Sequence, residues 1–481
     1  MAKFNNQTSN KTVNKSGHVA YRMADKSKLI TQVLTSFFNE KKFYGDNSKD
    51  MVETVKRVAK ADPQFVSSLA VFARREFNMR SVSHILTAIL ANTPEGKPFV
   101  RKTVQGVALR GDDLTEIMAA YLANFKKPIP NSLKKGIADV LVTFDAYTLA
   151  KYKGDGQEVK MRDLICICRP KPRTAGQAAL FKKCIEGTLE TPETWETQLS
   201  ANGNNKETWE KLIDGGKVGY MALLRNLRNI MQAKPSNFKK VMDKLSNHDA
   251  VVRSRQLPFR FLSAYKTVCG LPGTNSAVLD ALETALDASL ENLPVIPGKT
   301  VIAIDVSGSM SHNISEKSDI RCCEIAMLIG LIANRLCESS AVYTFATAIN
   351  TLSVPKRAGV LYASVHETRC SGGTDMGLPI QKMIMDKIEA DRIIIISDNE
   401  CNSGRSSYSH KTVQSLADEY RRSTGRDIWV HAIDLMGYGT QQFAGHNTNI
   451  IAGWSEKVFD FIMLAEQGED NLEKTIAAYR W

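Results

Sequence analysis

The strongest constraint in this chain is a change of hydrophobic period at Asn292-Leu293-Pro294-Val295-Ile296-Pro297-Gly298-Lys299. From Tyr21 to about Leu290 the apolar residues recur at helical spacing, and Phe65–Phe77, Val82–Ala91, Leu114–Ala123 and Ile137–Leu149 show none of the alternation of a strand. Asp62-Pro63, Thr93-Pro94 and Thr191-Pro192 each set a capping side chain before a proline. Proline is tolerated at the first helical position because its missing N–H has no intrahelical partner there. The region reads as an all-helical array. Beyond Lys299, apolar strands (Thr300–Val306, Ala341–Phe345, Arg392–Ser397, Ile428–Asp434) alternate with helices (Ile320–Cys337, Leu378–Lys387, Thr412–Arg422, Glu456–Ala465). Strands separated by helices demand a mainly parallel sheet covered on both faces. Two prolines and a glycine end one period and admit the other, which divides the chain into 1–20, 21–293 and 294–481.

With 481 residues the chain is too long for a single core. Helix pairs recurring about every 40 residues suggest a HEAT-like α-solenoid, and in the absence of a strict repeat an irregular helical domain is the alternative. Met1–Ala20 is rich in Asn, Thr, Ser and Lys and has little to bury, so it is either a mobile basic tail or a strap laid on the next domain. It lacks the apolar centre of a secretory signal, and no apolar run is long enough for a membrane span. Nine cysteines without a regular framework fit a reducing compartment, hence a cytoplasmic protein. Cys166-Ile167-Cys168 and Cys322-Cys323 lack zinc spacing and read as buried thiols, and the eight scattered histidines read as surface imidazoles.

Charge is unevenly placed. Residues 1–300 hold 46 Lys and Arg against 29 Asp and Glu, whereas residues 301–481 hold 17 against 22. A basic amino-terminal part suggests nucleic acid, with affinity drawn from phosphate contacts and counterion release; the bland alternative is a basic solvated surface. In Gly219–Met231, Leu223, Leu224, Leu227, Ile230 and Met231 share one helical face, while Arg225 and Arg228 point from the other. In Cys168-Arg169-Pro170-Lys171-Pro172-Arg173 the alternating prolines disfavour helix and hold an extended chain, so three cations project from a stiff segment suited to phosphates or a single strand, the alternative being a rigid interhelical connector. Lys151-Tyr152-Lys153 adds two more cations around an aromatic ring. No RRM, KH or zinc-finger signature is present, so shape and charge outweigh a base code.

Val301-Ile302-Ala303-Ile304 runs into Asp305-Val306-Ser307-Gly308-Ser309, a buried strand ending in a loop of oxygen donors. Cys370-Ser371-Gly372-Gly373-Thr374-Asp375 supplies another hydroxyl on a glycine-rich turn, and Ile393–Ile396 leads through Ser397 to Asp398. Ligands of open parallel sheets gather at the carboxyl ends of the strands, where these pieces would meet. Asp305, Ser307, Ser309, Thr374 and Asp398 form an all-oxygen set suited to a hard divalent ion such as Mg²⁺. Asp-x-Ser-x-Ser, Gly-Gly-Thr and strand-Asp in this order resemble the metal-ion-dependent adhesion site of a von Willebrand factor A domain.

Met161-Arg162-Asp163-Leu164-Ile165 leading into Arg169-Pro170-Lys171-Pro172, Ala222–Leu227, Leu257-Pro258-Phe259-Arg260-Phe261 and the three metal pieces together resemble the Ro autoantigen family. That resemblance implies a ring of HEAT-like repeats, the TROVE module, followed by a von Willebrand A domain. It implies Y RNA, a small structured noncoding RNA, bound to a basic outer surface, and single-stranded ends of misfolded RNA entering the hole. Noncoding RNA quality control and association with an exoribonuclease follow from the same likeness. Lys151 and Arg169 to Pro172 match segments used for Y RNA, although animal members commonly carry histidine where this chain has Arg169. The chain also lacks their longer insertions between Leu180 and Trp209. The five oxygen donors match the family's metal positions, with Asp375 structural and one coordination place left for an acidic residue of a partner.

Three functions compete. The first is an RNA-binding monomer acting as chaperone or nuclease scaffold, away from membranes. The second is a protein-interaction adaptor working through the metal site. The third is a metal-dependent hydrolase, which is disfavoured because the set lacks a second carboxylate cluster and the chain has neither a Walker A loop nor a nucleophile elbow.

Overall fold

The computed structural model describes residues 11–14, 18–34, 49–272, 276–291, 293–315, 318–355, 359–402, 412–437, 440–452, 457–466 and 472–481. Helices occupy the amino-terminal part and a mixed sheet with helices the remainder, as the two periods require. The chain forms two compact units, one of Ala24–Pro192 with Leu472–Trp481 and the other of Met1–Met23 with Glu193–Asn471.

In the first, helical unit, Asp62 caps the Pro63–Arg75 helix by accepting from the Phe65 N–H at 3.0 Å. The Ser81–Asn92 helix is buried along nearly its whole length against Pro63–Arg75, Lys97–Val107 and Gly111–Phe125. Thr93 makes no capping bond; a short 3₁₀ turn at Pro94–Gly96 leads into Lys97–Val107 instead. Ile137–Leu149 is not continuous, because Asn131–Leu141 ends at a turn and Asp145 starts a new helix, Ala146–Lys151, through the Thr148 N–H. At the centre lies buried Asp113. It accepts from Arg74 at 3.0 Å, Arg80 at 2.9 Å and the backbone N–H groups of Leu109 and Arg110, and pairs with His84 at 3.1 Å. Burial works against the Asp113 carboxylate, but His84, Arg74 and Arg80 outweigh it and hold the group well below the usual range. The Leu472–Ala478 helix closes the unit against Pro63–Arg75, and Tyr479 donates to Glu76 at 2.7 Å.

In the second, mixed unit, helices from Trp195–Asn202 to Ser276–Ser289 precede the sheet and pack mainly on one another. Thr191-Pro192 starts no helix; Thr194 caps the next one, accepting from the Thr197 N–H at 3.2 Å. Pro258–Cys269 packs on the Cys322–Leu336 and Val360–His366 helices, and Glu283 accepts from the Leu361 and Tyr362 N–H groups at 3.2 and 2.9 Å. Local structure thus changes class near Pro294 while the compact body changes at Pro192, because the later helices pack on one another and two of them, Pro258–Cys269 and Ser276–Ser289, contact the sheet's own helices.

The strands are β1 (Lys11–Val13), β2 (Val19–Arg22), β3 (Ile296–Asp305), β4 (Asn313–Ser315), β5 (Ser318–Arg321), β6 (Cys337–Phe345), β7 (Ile349–Thr351), β8 (Arg392–Ser397), β9 (Trp429–Asp434), β10 (Thr440–Gln441) and β11 (Thr448–Ala452). The main sheet has the order β11-β9-β8-β3-β6-β7, parallel except for β7. Val301–Ile304 and Ile393–Ile396 are completely buried, as a sheet covered on both faces requires. The Cys322–Leu336 helix lies close over it, where a Cβ on Gly330 would stand 2.4 Å from Ile304 Cδ1. Successive strands leave β3 in opposite directions, so the crevice beside β3 and β8 is the switch point at which ligands bind. Residues 11–14 and 18–22 are a strap: β1 pairs with β2, β2 pairs with β10, and Asn14 Nδ2 donates to the Cys401 carbonyl at 2.7 Å. The strap lies on the sheet-bearing unit, not on the helices that follow it; residues 1–10 and 15–17 are outside the described set.

The cysteines are not all free thiols and the histidines not all on the surface. Cys323 is joined to Cys370, 47 residues away in sequence, so no local spacing announced the bridge. Cys322 is a buried thiol, whereas Cys166 is exposed. His84 and His431 are buried, each against a carboxylate: Asp113 for the first, Glu466 at 2.9 Å for the second.

Candidate functional site

All five oxygen-bearing residues converge at the rim of the main sheet. Asp305 ends β3, and its Oδ1 accepts from the Ser307 N–H at 2.8 Å, a turn that carries the chain into the Ser307–Ser309 loop. Ser307 Oγ and Ser309 Oγ lie 3.1 Å apart. Asp398 follows β8 and accepts from the Ser309 hydroxyl, while its Oδ1 accepts from the Glu400 N–H at 3.2 Å. Thr374 arrives on the glycine arm, which Gly308 N to Gly372 O and Ser371 N to Val306 O, both 2.9 Å, hold against the first loop. Gly372 has φ +78°, and a Cβ there would meet Thr347 Oγ1 at 2.9 Å, so the arm needs glycine.

Electrostatics shows what these groups could offer a cation. Asp305 and Thr374 are fully buried and Asp398 nearly so. Burial, then the facing Asp398, push the Asp305 carboxyl up to about 7, and burial raises Asp398 as well. Two desolvated like charges beside two hydroxyls form a hard, all-oxygen donor set. Charge and ligand type therefore fit Mg²⁺ better than zinc. Among the described residues no group of three His, Cys, Asp or Glu side chains could hold a metal, so an ion here would be held by the two carboxylates with hydroxyls or water completing its shell.

Three residues around the rim went unread in the sequence. Ser397 donates to Asp305 Oδ2 at 2.6 Å and orients it. Asn402 holds Thr374 from both sides, accepting from its N–H at 2.7 Å and donating its own N–H to the Thr374 carbonyl at 3.0 Å. Asp434 ends β9 beside Ser397; its Oδ1 accepts from the Met436 and Gly437 N–H groups, and its buried Oδ2 has no hydrogen-bond partner among the described residues. The recurrence of an apolar strand ending in Asp was the available signal for Asp434. Nothing in the sequence marked Asn402. Asp375 is structural, its Oδ1 accepting from the Gly377 N–H at 3.0 Å.

The candidate RNA cations divide between the units. In the helical unit, Arg169 caps the Met161–Cys168 helix in the left-handed region, φ 48°, and residues 169–174 run without helix to Thr174, which caps Ala175–Glu186. Pro170 is buried while Arg169, Lys171 and Arg173 are exposed, so the proline pins the segment and the cations face water. Lys151 ends the Ala146–Lys151 helix with its ammonium 5.5 Å from the Tyr147 ring centre and 5.7 Å from that of Tyr152. Arg110 lies over the same Tyr152 ring at 5.5 Å. Lys153 is exposed and paired with Asp155 at 2.6 Å. Arg225 and Arg228 belong to the mixed unit, on the exposed face of Tyr220–Ala233, whose other face buries Leu223, Leu224, Leu227 and Ile230.

Known proteins share both parts. A family model described as the TROVE domain matches residues 23–188 and 186–272, and one described as the Ro60 vWA domain matches 299–433. The RNA-binding protein RO60 of Deinococcus radiodurans is 26% identical over 343 residues, covering 61% of this chain and 63% of that protein. The telomerase protein component 1 of Rattus norvegicus is 25% identical over 351 residues, 55% of this chain but only 13% of that protein. The chain thus spans a small part of the telomerase component and just under two thirds of the bacterial protein. In three dimensions, the crystal structure of the Deinococcus radiodurans RO (RSR) protein superposes with a TM-score of 0.65 at 17% identity, covering 92% of this chain and all of that one.

Proposed function

Because the chain belongs to the Ro family, a TROVE domain followed by a Ro60-type von Willebrand A domain, we propose that it is an RNA-binding protein of ribonucleoproteins that holds noncoding RNA without cutting it. The observation that carries the reading is the row of exposed cations Arg169, Lys171 and Arg173 on a segment pinned by buried Pro170. None of the three charged groups meets a carboxylate among the described residues. Such a row presents phosphate-binding charge at low entropic cost. Lys151 between two tyrosine rings adds a place where a base could stack.

On this reading the RNA is small and structured, Y RNA-like, on the basic surface, with single-stranded ends of misfolded RNA as further ligands, and the protein serves RNA quality control in the cytoplasm as a monomer. Asp305, Ser307, Ser309, Thr374 and Asp398 would hold Mg²⁺, which would supply an open coordination place for an acidic side chain. An exoribonuclease or another protein would dock there. The facing buried carboxylates Asp305 and Asp398 also favour the second reading, an adaptor whose business is that docking. Crosslinking in cells followed by sequencing of the retained RNA tests the first reading. Recovery of structured noncoding RNA is expected, and a profile indistinguishable from background would leave only the adaptor.

A further inference from the structure

The disulfide lies at the one arm of the metal centre that no strand carries. Thr374 follows Cys370 by four residues, and Cys323 sits in the first turn of the Cys322–Leu336 helix. The same helix end grips the arm a second time, for Arg321 Nη2 donates to the Thr368 carbonyl at 3.2 Å while Arg321 pairs with Glu324 at 2.9 Å. Downstream, Ser371 and Gly372 are held by single backbone hydrogen bonds to Val306 and Gly308. The covalent bridge is therefore the strongest restraint between the helix and the hydroxyl ligand. The two cysteines differ in exposure: Cys323 is completely buried and Cys370 only half-buried.

We propose that Cys323–Cys370 is a reducible latch on the metal centre, closed in the divalent-binding form and opened by a dithiol reductant. The proposal rests on the reading of the five oxygen donors as a Mg²⁺ site. One thiolate of the reductant attacks the sulfur of the more exposed cysteine, Cys370; the S–S bond breaks and the Cys323 sulfur leaves, taking up a proton. The second reductant thiol then closes on the mixed disulfide, which releases Cys370 as a thiol and the reductant as a cyclic disulfide. Two electrons and two protons pass from dithiol to protein. With the bridge open, the Ser371–Thr374 arm keeps its hydrogen bonds but loses its covalent limit, so preorganisation of the Thr374 hydroxyl falls and metal binding weakens.

The test uses the full chain, oxidised and then reduced with dithiothreitol, titrated with Mg²⁺ in a calorimeter, with alkylation and mass measurement counting the thiols. Reduction should expose two further alkylatable cysteines, weaken Mg²⁺ binding by roughly 3- to 10-fold and speed amide exchange in residues 369–376 without metal. Reoxidation should restore all three, so the result does not depend on a variant folding. Cys370→Ser should match the reduced protein with or without reductant. Equal Mg²⁺ affinities in the two forms, with the two extra thiols counted, would overturn the latch and leave the metal reading standing. Absence of Mg²⁺ binding in both forms would overturn the metal reading and the latch with it. A chain whose two sulfurs never form the bridge, or whose bridge dithiothreitol cannot open, would also overturn the proposal.

Discussion

Replacing Arg169, Lys171 and Arg173 together by alanine isolates the electrostatic share of RNA binding. All three are exposed, no carboxylate among the described residues competes for them, and Pro170 keeps the backbone in place without them. Each phosphate contact to a single strand contributes about 0.7 to the slope of log K against log salt, so the three together carry about 2. Between about 50 and 200 mM salt that share alone corresponds to a loss of about 20-fold in affinity. Filter-binding or fluorescence-anisotropy titrations of the full chain with a single-stranded RNA, repeated across salt, read both quantities. The variant should bind more weakly at low salt and show a slope shallower by about 2. A parallel line, with reduced affinity but unchanged slope, would mean the substitutions act through structure. An unchanged line would remove the segment from the interface.

Other outcomes follow from the remaining charged sites. Mg²⁺ at about 100 times its Kd should stabilise the wild-type chain by about 2.7 kcal/mol in thermal or denaturant unfolding; Asp305→Ala should abolish that gain, stabilise the metal-free chain by removing one of two facing buried carboxylates, and leave RNA affinity unchanged. Although burial opposes it, Glu466 is held down to about 2 by His431 and Arg392. A depressed carboxylate contributes stability that is complete above its unfolded pKa and lost as pH falls through the folded one, here between about 4.5 and 2 and worth about 3 kcal/mol at neutral pH. Glu466→Gln should therefore destabilise by about 3–5 kcal/mol near pH 7, because it strands buried Arg392, and urea unfolding should show the deficit narrow by about 2 kcal/mol near pH 3. Asp113→Ala should cost about 3–5 kcal/mol in the same assay by leaving Arg74 buried and uncompensated.

The fold was legible wherever burial imposes a period. Val301–Ile304 and Ile393–Ile396 are unbroken apolar runs because strands in the middle of a covered sheet meet helices on both faces, and such runs stand out in any sequence. β7, β10 and β11 escaped notice, being two to five residues long with edge or linking roles that need no apolar signature. The division into units was hidden for a different reason. The Pro258–Cys269 helix packs on Tyr220–Ala233 and Ser276–Ser289 and also on Cys322–Leu336, and one helix's periodicity does not say which later element its apolar face will meet.

The convergence of the oxygen donors was legible because they are tied to strand ends, where Asp305 directly follows buried Val301–Ile304 and Asp398 follows buried Ile393–Ile396 through Ser397. What fixes those donors in place was not legible. Ser397, Asn402 and the Cys323–Cys370 bridge act across the sheet, and their partners lie 92, 28 and 47 residues away in sequence. The cations reverse this relation: Arg169, Lys171 and Arg173 are visible as a run in sequence, and their surroundings matter little because they project into water. A rigid buried site therefore fails through distant positioning residues, whereas an exposed cationic row fails only through its own charges. Asn402→Ala should consequently weaken Mg²⁺ binding while sparing RNA, although it touches neither ligand, and calorimetry beside RNA titration measures both. Equal losses in the two assays would show that the metal and RNA functions are not separately built.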